Sequence, residues 1–205
     1  MTTRTLNDST YASVPGRLTV SRERYVHYYG TQLGPSKLLE LSTFIPYSFS
    51  RVTRILYGRV RHWVRIQEHF RHGCLCPSVV IDKDANLVAT FTNLIAANVA
   101  SVPVIRVTHE RLDLIPHKTV NGTRLVSVAL FQSTKESLAL GRWSDFSPIV
   151  AETLVEDTNA CNAAFARLSD WAWLALDMGV KQLKTGVKVG LYSVEVPHEI
   201  AWNAF

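Results

Sequence analysis

Short runs of alternating residues dominate the chain between residues 73 and 155. Apolar Leu87, Ala89 and Phe91 alternate with Val88 and two threonines, which is the period-two pattern of a β-strand. The pattern predicts six strands, over residues 74–81, 87–92, 102–108, 112–120, 124–131 and 148–155. Several short strands at close spacing are typical of an antiparallel sheet that closes on itself. We therefore predict an α+β protein built on a small antiparallel β-barrel.

Turn residues suggest how some of these strands pair. The polar segment 82–86 separates the first two strands. Asn121-Gly122 suits a two-residue hairpin, because both positions of that turn need a positive φ. Residues 112–120 and 124–131 are therefore predicted to form a hairpin. Pro103 indicates an edge strand or the entrance of a strand.

Helices are predicted on both sides of the strands. Residues 48–72 carry apolar side chains at spacings of three, four and seven, which places them on one face of a helix. That face consists of Phe49, Val52, Leu56, Val60, Trp63 and Phe70. After a polar N-cap cluster at 156–159, residues 160–181 are predicted to form a C-terminal helix. Residues 191–196 could add a final strand.

The net charge of +5 is concentrated in the predicted N-terminal helix. Six arginines between residues 51 and 72 face one glutamate, so the rest of the chain is balanced. The side opposite the apolar face includes Arg51, Arg54, Arg61 and Arg65. One interpretation is a binding surface for an anionic partner. The other is an ordinary solvated face.

Length and composition indicate one domain with appended segments. The 205 residues are 47% hydrophobic, which is enough to build a core. We predict a flexible arm over residues 1–16, a helical segment over 17–72, and a barrel with its C-terminal helix over 73–205, packed as one unit with the helical segment. The sequence has no secretory signal and no transmembrane pattern, and its three cysteines form no disulfide framework. The expected location is the cytoplasm.

One stretch contains potential metal ligands. His69, His72, Cys74 and Cys76 lie within eight residues, and zinc accepts such a set. All four lie in one segment, however, whereas structural zinc sites pair two ligand-bearing loops. The alternative is that the cysteines are small core residues. A metal is therefore a minor hypothesis, and no cofactor is predicted.

Trp143, Asp145 and Phe146 are predicted to anchor a loop. The two rings would be buried, and the Asp145 carboxylate would accept hydrogen bonds from backbone N–H groups. Ser144 lies between Trp143 and Asp145 but has no Gly-x-Ser-x-Gly context. The sequence also lacks a phosphate-binding glycine loop and a dinucleotide fingerprint. No catalytic residue is nominated, and an enzyme is the less favoured interpretation.

Three motifs in order resemble an uncharacterised bacterial family, a domain of unknown function. They are Gly73-Cys74-Leu75 leading into Val79-Val80, then Trp143-x-Asp145-Phe146-x-Pro148, then Gly190-Leu191-Tyr192. The resemblance covers residues 72–192. It implies a small β-barrel with a helix near its end, and it implies no catalytic residues. The resemblance does not extend to residues 1–71.

These patterns predict a non-catalytic binding or assembly protein that uses the barrel and the basic helix. A protein partner or self-association is the favoured contact. Nucleic acid is disfavoured because the strands lack interleaved basic and aromatic residues. A membrane surface is less favoured because the barrel is expected to cover the apolar face of the helix. The alternatives are a hydrolase-type enzyme with an unrecognised site and a binder of phospholipid or nucleic acid.

Overall fold

A six-stranded antiparallel sheet forms the centre of the molecule. The computed structural model describes residues 12–30, 51–96 and 100–205, with the side chains of residues 51–60 and of Leu138 outside the described part. The strands are β1 (Cys74–Asp82), β2 (Leu87–Asn93), β3 (Pro103–His109), β4 (Arg124–Gln132), β5 (Asp145–Val150) and β6 (Gly190–Ser193). Their order in the sheet is β5-β4-β1-β2-β3-β6. The α+β class predicted from the sequence is confirmed.

The sheet curls into a half-barrel. Val104 of β3 and Phe146 of β5 belong to one buried cluster, although three strands separate β3 from β5. Beyond the end of β2, the Trp143 N–H donates to the Leu94 carbonyl at 2.9 Å. Ile95 and Arg142 form an isolated bridge nearby. The concave side of the sheet is therefore narrow, and its two flanks approach each other.

Helices cover the convex side. The described helices are α1 (Arg22–Tyr29), α2 (Arg51–His72), α3 (Lys135–Ala139), α4 (Ala151–Leu154), α5 (Thr158–Ala166), α6 (Asp170–Val180) and α7 (His198–Asn203). The main core joins all of these helices except α3 to alternate strand residues such as Leu75, Phe91 and Val126. Phe70 of α2 and Leu176 of α6 are fully buried in that core. The strict alternation of strand residues explains why one face holds the helices and the other holds a separate interior.

A short segment before α1, here called the strap (residues 12–18), crosses the end of α2. The N–H groups of Gly16, Arg17 and Leu18 donate to the carbonyls of Gly73, Arg71 and Phe70 at 2.8, 2.9 and 3.1 Å. The last carbonyls of a helix have no partner within the helix. The strap therefore caps the C-terminus of α2. It includes residues 12–16 of the predicted arm, while residues 1–11 lie outside the described part.

The predicted hairpin at Asn121-Gly122 is wrong. Residues 112–120 contain a 3₁₀ turn at Leu112–Leu114 and then irregular backbone, and β4 pairs with β1 and β5. Gly122 does adopt a positive φ of 86°. Leu112 and Ile115 are buried in a cluster at one end of the half-barrel. The apolar residues of this segment therefore plug the sheet's open end instead of pairing as a strand.

Three other predicted elements also need corrected boundaries. The strand predicted over 148–155 begins at Asp145 and ends at Val150, where α4 follows. The single helix predicted over 160–181 is two helices, because Ser169 caps α6 by accepting a hydrogen bond from the Ala172 N–H at 3.1 Å. The final strand is confirmed but is shorter, at Gly190–Ser193.

Candidate functional site

The outer face of α2 is cationic. Arg61 and Arg65 are exposed, and neither forms an ion pair with a described carboxylate. Val64 lies between them and is 41% exposed. The inner face is anchored by Ile66 and Phe70, which are buried in the core. The backbone of α2 includes positions 51 and 54, but the side chains of Arg51 and Arg54 lie outside the described part, as do those of the predicted apolar residues up to Val60.

Aromatic rings hold α2 against α1. The hydroxyl of Tyr25 lies 2.6 Å from Nδ1 of His62, and the Tyr25 ring packs edge-on against Trp63 at 4.8 Å between centroids. Tyr29 also meets His62 edge-on at 4.7 Å. Partial burial, and next the positive charge of Arg65, lower the pKa of His62. His62 is therefore mainly neutral at pH 7, and the charge of the exposed face comes from arginine.

His69, one of the four predicted metal ligands, is buried in the core and hydrogen-bonded to the backbone of β4. Its Nε2 lies 2.8 Å from the carbonyl oxygen of Val128, so this nitrogen carries the proton and donates it. Burial lowers the pKa of His69 to about 4, against the opposing effect of that hydrogen bond. His72 is half-buried in the last turn of α2. In the described ranges, His, Cys, Asp and Glu side chains form no group of three or more that could hold a metal ion.

Cys74 and Cys76 lie on the concave side of β1 in one buried cluster. The Cys76 thiol lies 3.7 Å from the Thr92 hydroxyl. The hydrogen bond between the two sulfurs lowers the pKa of Cys74, whereas burial raises the pKa of Cys76. All three cysteines of the chain are free and buried. In this arrangement the pair acts as small core residues with weak hydrogen bonds.

Asp145 joins two strands that are not neighbours in the sheet. Its Oδ1 accepts a hydrogen bond from the Phe146 N–H at 2.7 Å, and the Arg106 guanidinium of β3 donates to the same oxygen at 2.8 Å. Phe146 is fully buried, and Trp143 is half-buried against Phe131 at 5.5 Å between centroids. The three predicted anchor residues therefore lie where β5 begins, and Asp145 links β5 to β3 across the mouth of the half-barrel.

A belt of hydroxyl groups crosses the concave interior. Ser78 of β1 donates to Ser127 of β4 at 2.7 Å and lies 2.8 Å from the hydroxyl of Thr90 of β2. All three residues are fully buried. Arg106 stands opposite Thr90 in the sheet register, so the belt leads towards the Arg106–Asp145 ion pair. No sequence pattern indicates this belt, because each hydroxyl comes from a different strand.

Replacing Ser78 with alanine tests whether the belt contributes to stability. The change removes the central hydroxyl and leaves Thr90 and Ser127 3.5 Å apart, so we expect a loss of about 2 kcal/mol in the free energy of unfolding. Urea denaturation measures it. The control is Ser147→Ala on β5, where the hydroxyl accepts only an exposed bond from Gln132, and the expected loss is below roughly 0.5 kcal/mol. Equal losses in both variants would contradict this role for the belt.

Two buried carboxyl groups lie at one end of the half-barrel, and the sequence analysis missed both. Oε2 of Glu110 accepts a hydrogen bond from the Tyr28 hydroxyl at 3.0 Å, and Oε1 accepts one from Thr108 at 3.3 Å. Burial raises the pKa of Glu110 to about 7, although these hydrogen bonds oppose the shift. Since its oxygens already have partners, the geometry favours a structural role over a catalytic one.

Glu152 of α4 is the second buried carboxyl. Part of its side chain is exposed, but its Oε2 atom is buried and has no hydrogen-bond partner. Burial raises the pKa of Glu152 to about 7 as well. The Arg24 guanidinium does not pair with this carboxylate; it donates to the backbone carbonyl of Glu152 at 2.6 Å. The Glu152 carboxyl is therefore an unfavourable place for a negative charge.

These features define an α+β protein whose curled antiparallel sheet is covered by helices on its convex side, one of them cationic on its outer face. The chain belongs to the family described as protein of unknown function DUF3239, whose model matches residues 61–184, more than half of the chain. Within the residues that the structure describes, no helix combines the length and apolar character needed to span a bilayer.

Comparison with solved structures finds a similar chain in the crystal structure of a suspected membrane protein from Corynebacterium diphtheriae. The two chains are 17% identical, with a TM-score of 0.48. The similarity covers 58% of this chain and 99% of the other. No curated protein matches the sequence.

Proposed function

We propose that this chain is a non-catalytic binding or assembly protein that contacts an acidic protein surface through the outer face of α2. The observation that supports the proposal is the exposed pair Arg61 and Arg65, which has no carboxylate partner among the described residues. Opposite charges at a partner's surface would speed encounter and fix orientation. The helical spacing of the sequence places Arg51 and Arg54 on the same face of the helix as Arg61 and Arg65.

The fold suits this role because α2 is held rigidly. Its inner face is fixed by Phe70, by the His69–Val128 hydrogen bond and by the strap that caps its last carbonyls. A helix anchored on one side can present its opposite side without reorganising, which lowers the entropic cost of binding. Self-association would use the same face against an acidic surface of a second copy. The three free cysteines support a reducing compartment, the cytoplasm.

The test is a pair of charge reversals. Arg61→Glu with Arg65→Glu leaves folding intact, because both side chains are exposed, and should weaken binding to immobilised polyglutamate at least about tenfold at low salt. The matched control is Lys181→Glu with Lys188→Glu, which makes the same change of charge on another exposed surface and should alter binding less than about twofold. Surface plasmon resonance measures both, and urea denaturation checks folding.

Duplex DNA and phosphatidylserine vesicles, run beside polyglutamate, separate the classes of partner. The proposal expects the parent chain to prefer polyglutamate over both at equal ionic strength. Binding that is undetectable on all three surfaces, or that the lysine variant weakens as much as the arginine variant, would refute the role of α2. Sedimentation equilibrium of the parent and the arginine variant tests self-association through the same face.

A further inference from the structure

Three exposed arginines, each from a different element, lie where the strap crosses the ends of α2 and α5. The Arg17 N–H donates to the Arg71 carbonyl at 2.9 Å, so these two residues are adjacent. The Arg167 guanidinium donates to the carbonyls of Gly16, at 3.1 Å, and Pro15. The side chains of Arg17, Arg71 and Arg167 are all exposed. Arg17 lies more than fifty residues from Arg71, and Arg71 lies more than fifty residues from Arg167, so only the fold brings them together.

Among the described residues, no carboxylate forms an ion pair with this arginine cluster. The ion pairs among the described residues are Arg106–Asp145, Arg111–Asp113 and Arg124–Asp177, and none involves the cluster. Burial, and next the positive charge of Arg17, lower the pKa of Arg167. The C-terminal ends of α2 and α5 each carry a partial charge of roughly −0.5. Together they offset only part of the positive charge of three guanidinium groups. The cluster therefore retains a net positive charge.

Arg17 also holds an unfavourable backbone conformation. Its φ is +55°, in the left-handed region where only Arg17 and Asn86 lie among the described residues other than glycine. A residue with a Cβ in this region costs free energy relative to glycine, and such strain is concentrated at functional sites. Glycine would serve better here if the only role were to cap α2, because the cap uses the backbone N–H. An arginine at this position therefore suggests a role for its side chain.

We infer that the Arg17–Arg71–Arg167 cluster is a binding site for a phosphate group. Tetrahedral oxyanions match the fork of N–H donors on a guanidinium, and Arg167 keeps three of its five N–H groups after bonding Gly16 and Pro15. Bound phosphate would screen the repulsion between the arginines. This site goes beyond the proposed protein contact, since it takes a different ligand and includes neither Arg61 nor Arg65. The phosphate could be soluble or belong to a lipid headgroup.

The decisive variant is Arg17→Gly. It keeps the backbone N–H that caps α2, relieves the positive φ and removes one guanidinium. We expect the variant to have a higher Tm than the parent in sodium chloride, and its affinity for inorganic phosphate to fall about tenfold or more. Thermal unfolding in phosphate and in chloride of equal ionic strength measures both effects, because a ligand of the folded state raises Tm.

Asn86→Gly is the matched control, because Asn86 has the same φ of 55° and lies in the β1–β2 turn. It should raise Tm in both buffers and keep the full response to phosphate. Vesicles of phosphatidylcholine with and without phosphatidic acid form the second arm, and they identify the source of the phosphate group. A parent chain that responds to neither probe overturns the inference, and so does an Arg17→Gly variant that keeps the parent's response. The Arg61 and Arg65 variant should respond to phosphate as the parent does, so the two proposals can fail separately.

Discussion

Glu110 should lower the free energy of unfolding by about 3 kcal/mol as the pH rises from 4 to 8. Burial raises the pKa of Glu110 from 4.5 to about 7 in the folded chain. Between these two values the folded state binds more protons than the unfolded state, so the free energy of unfolding is highest below the lower value. It falls as the pH rises through about 7.

Glu110→Gln isolates this contribution, because the amide stays neutral, its oxygen can accept from one of the hydroxyls of Tyr28 and Thr108, and its NH2 group can donate to the other. The free energy of unfolding of the variant, minus that of the parent, should increase by about 3 kcal/mol between pH 4 and pH 8. Urea denaturation at several pH values measures this difference. Parallel pH profiles for the variant and the parent would show that the carboxyl of Glu110 titrates as it does in the unfolded chain.

Tyr28→Phe tests whether a local contact sets this pKa, and Glu152→Gln tests the second buried carboxyl group. Tyr28→Phe removes a hydroxyl that donates to Glu110, so the pKa of Glu110 should rise further and the stability at pH 8 should fall. Glu152→Gln should remove a second contribution of similar size, because burial also raises the pKa of Glu152 to about 7. If the two glutamates act independently, the effects of Glu110→Gln and Glu152→Gln should add within roughly 0.5 kcal/mol.

The pairing of Glu110 with Tyr28 shows what a sequence pattern cannot reveal. The two residues are 82 positions apart, and a buried glutamate looks like any surface glutamate in the sequence. The same holds for the hydroxyl belt and for the arginine cluster, whose members come from different elements. By contrast, β1 and β2 were predictable, since alternation and a polar turn are local properties. Their boundaries were predicted to within a residue.

The errors have physical causes as well. Residues 112–120 contain apolar side chains and precede a turn dipeptide, but alternation cannot distinguish a strand from a plug that buries Leu112 and Ile115. The connection from β3 to β4 must pass the ends of β2 and β1, and this path depends on the sheet order. The break between α5 and α6 had a signal in the sequence: Ser169 followed by Asp170 is a good N-cap. Apolar residues recur at helical spacing on both sides of this break, so the pattern predicted a single helix.

Gly73, between α2 and β1, should tolerate no larger residue. A Cβ at this position would lie 2.5 Å from the His69 carbonyl oxygen, 2.8 Å from Cγ1 of Val128 and 2.9 Å from the Ala129 carbonyl oxygen. Two of these neighbours are backbone atoms, one in α2 and one in β4, and neither can move without displacing its element. Gly73→Ala should therefore cost about 3 kcal/mol in the free energy of unfolding, measured by urea denaturation.

Gly190→Ala is the control for that substitution. Gly190 lies in β6, and the nearest atom to a Cβ there is part of the Tyr192 ring, at an ordinary distance of 3.5 Å. We expect a change of less than roughly 0.5 kcal/mol. A similar small change for Gly73→Ala would mean that α2 can shift away from β4. That shift would also remove the rigid anchoring on which the proposed presentation of Arg61 and Arg65 depends, so this stability measurement bears on the function as well as on the fold.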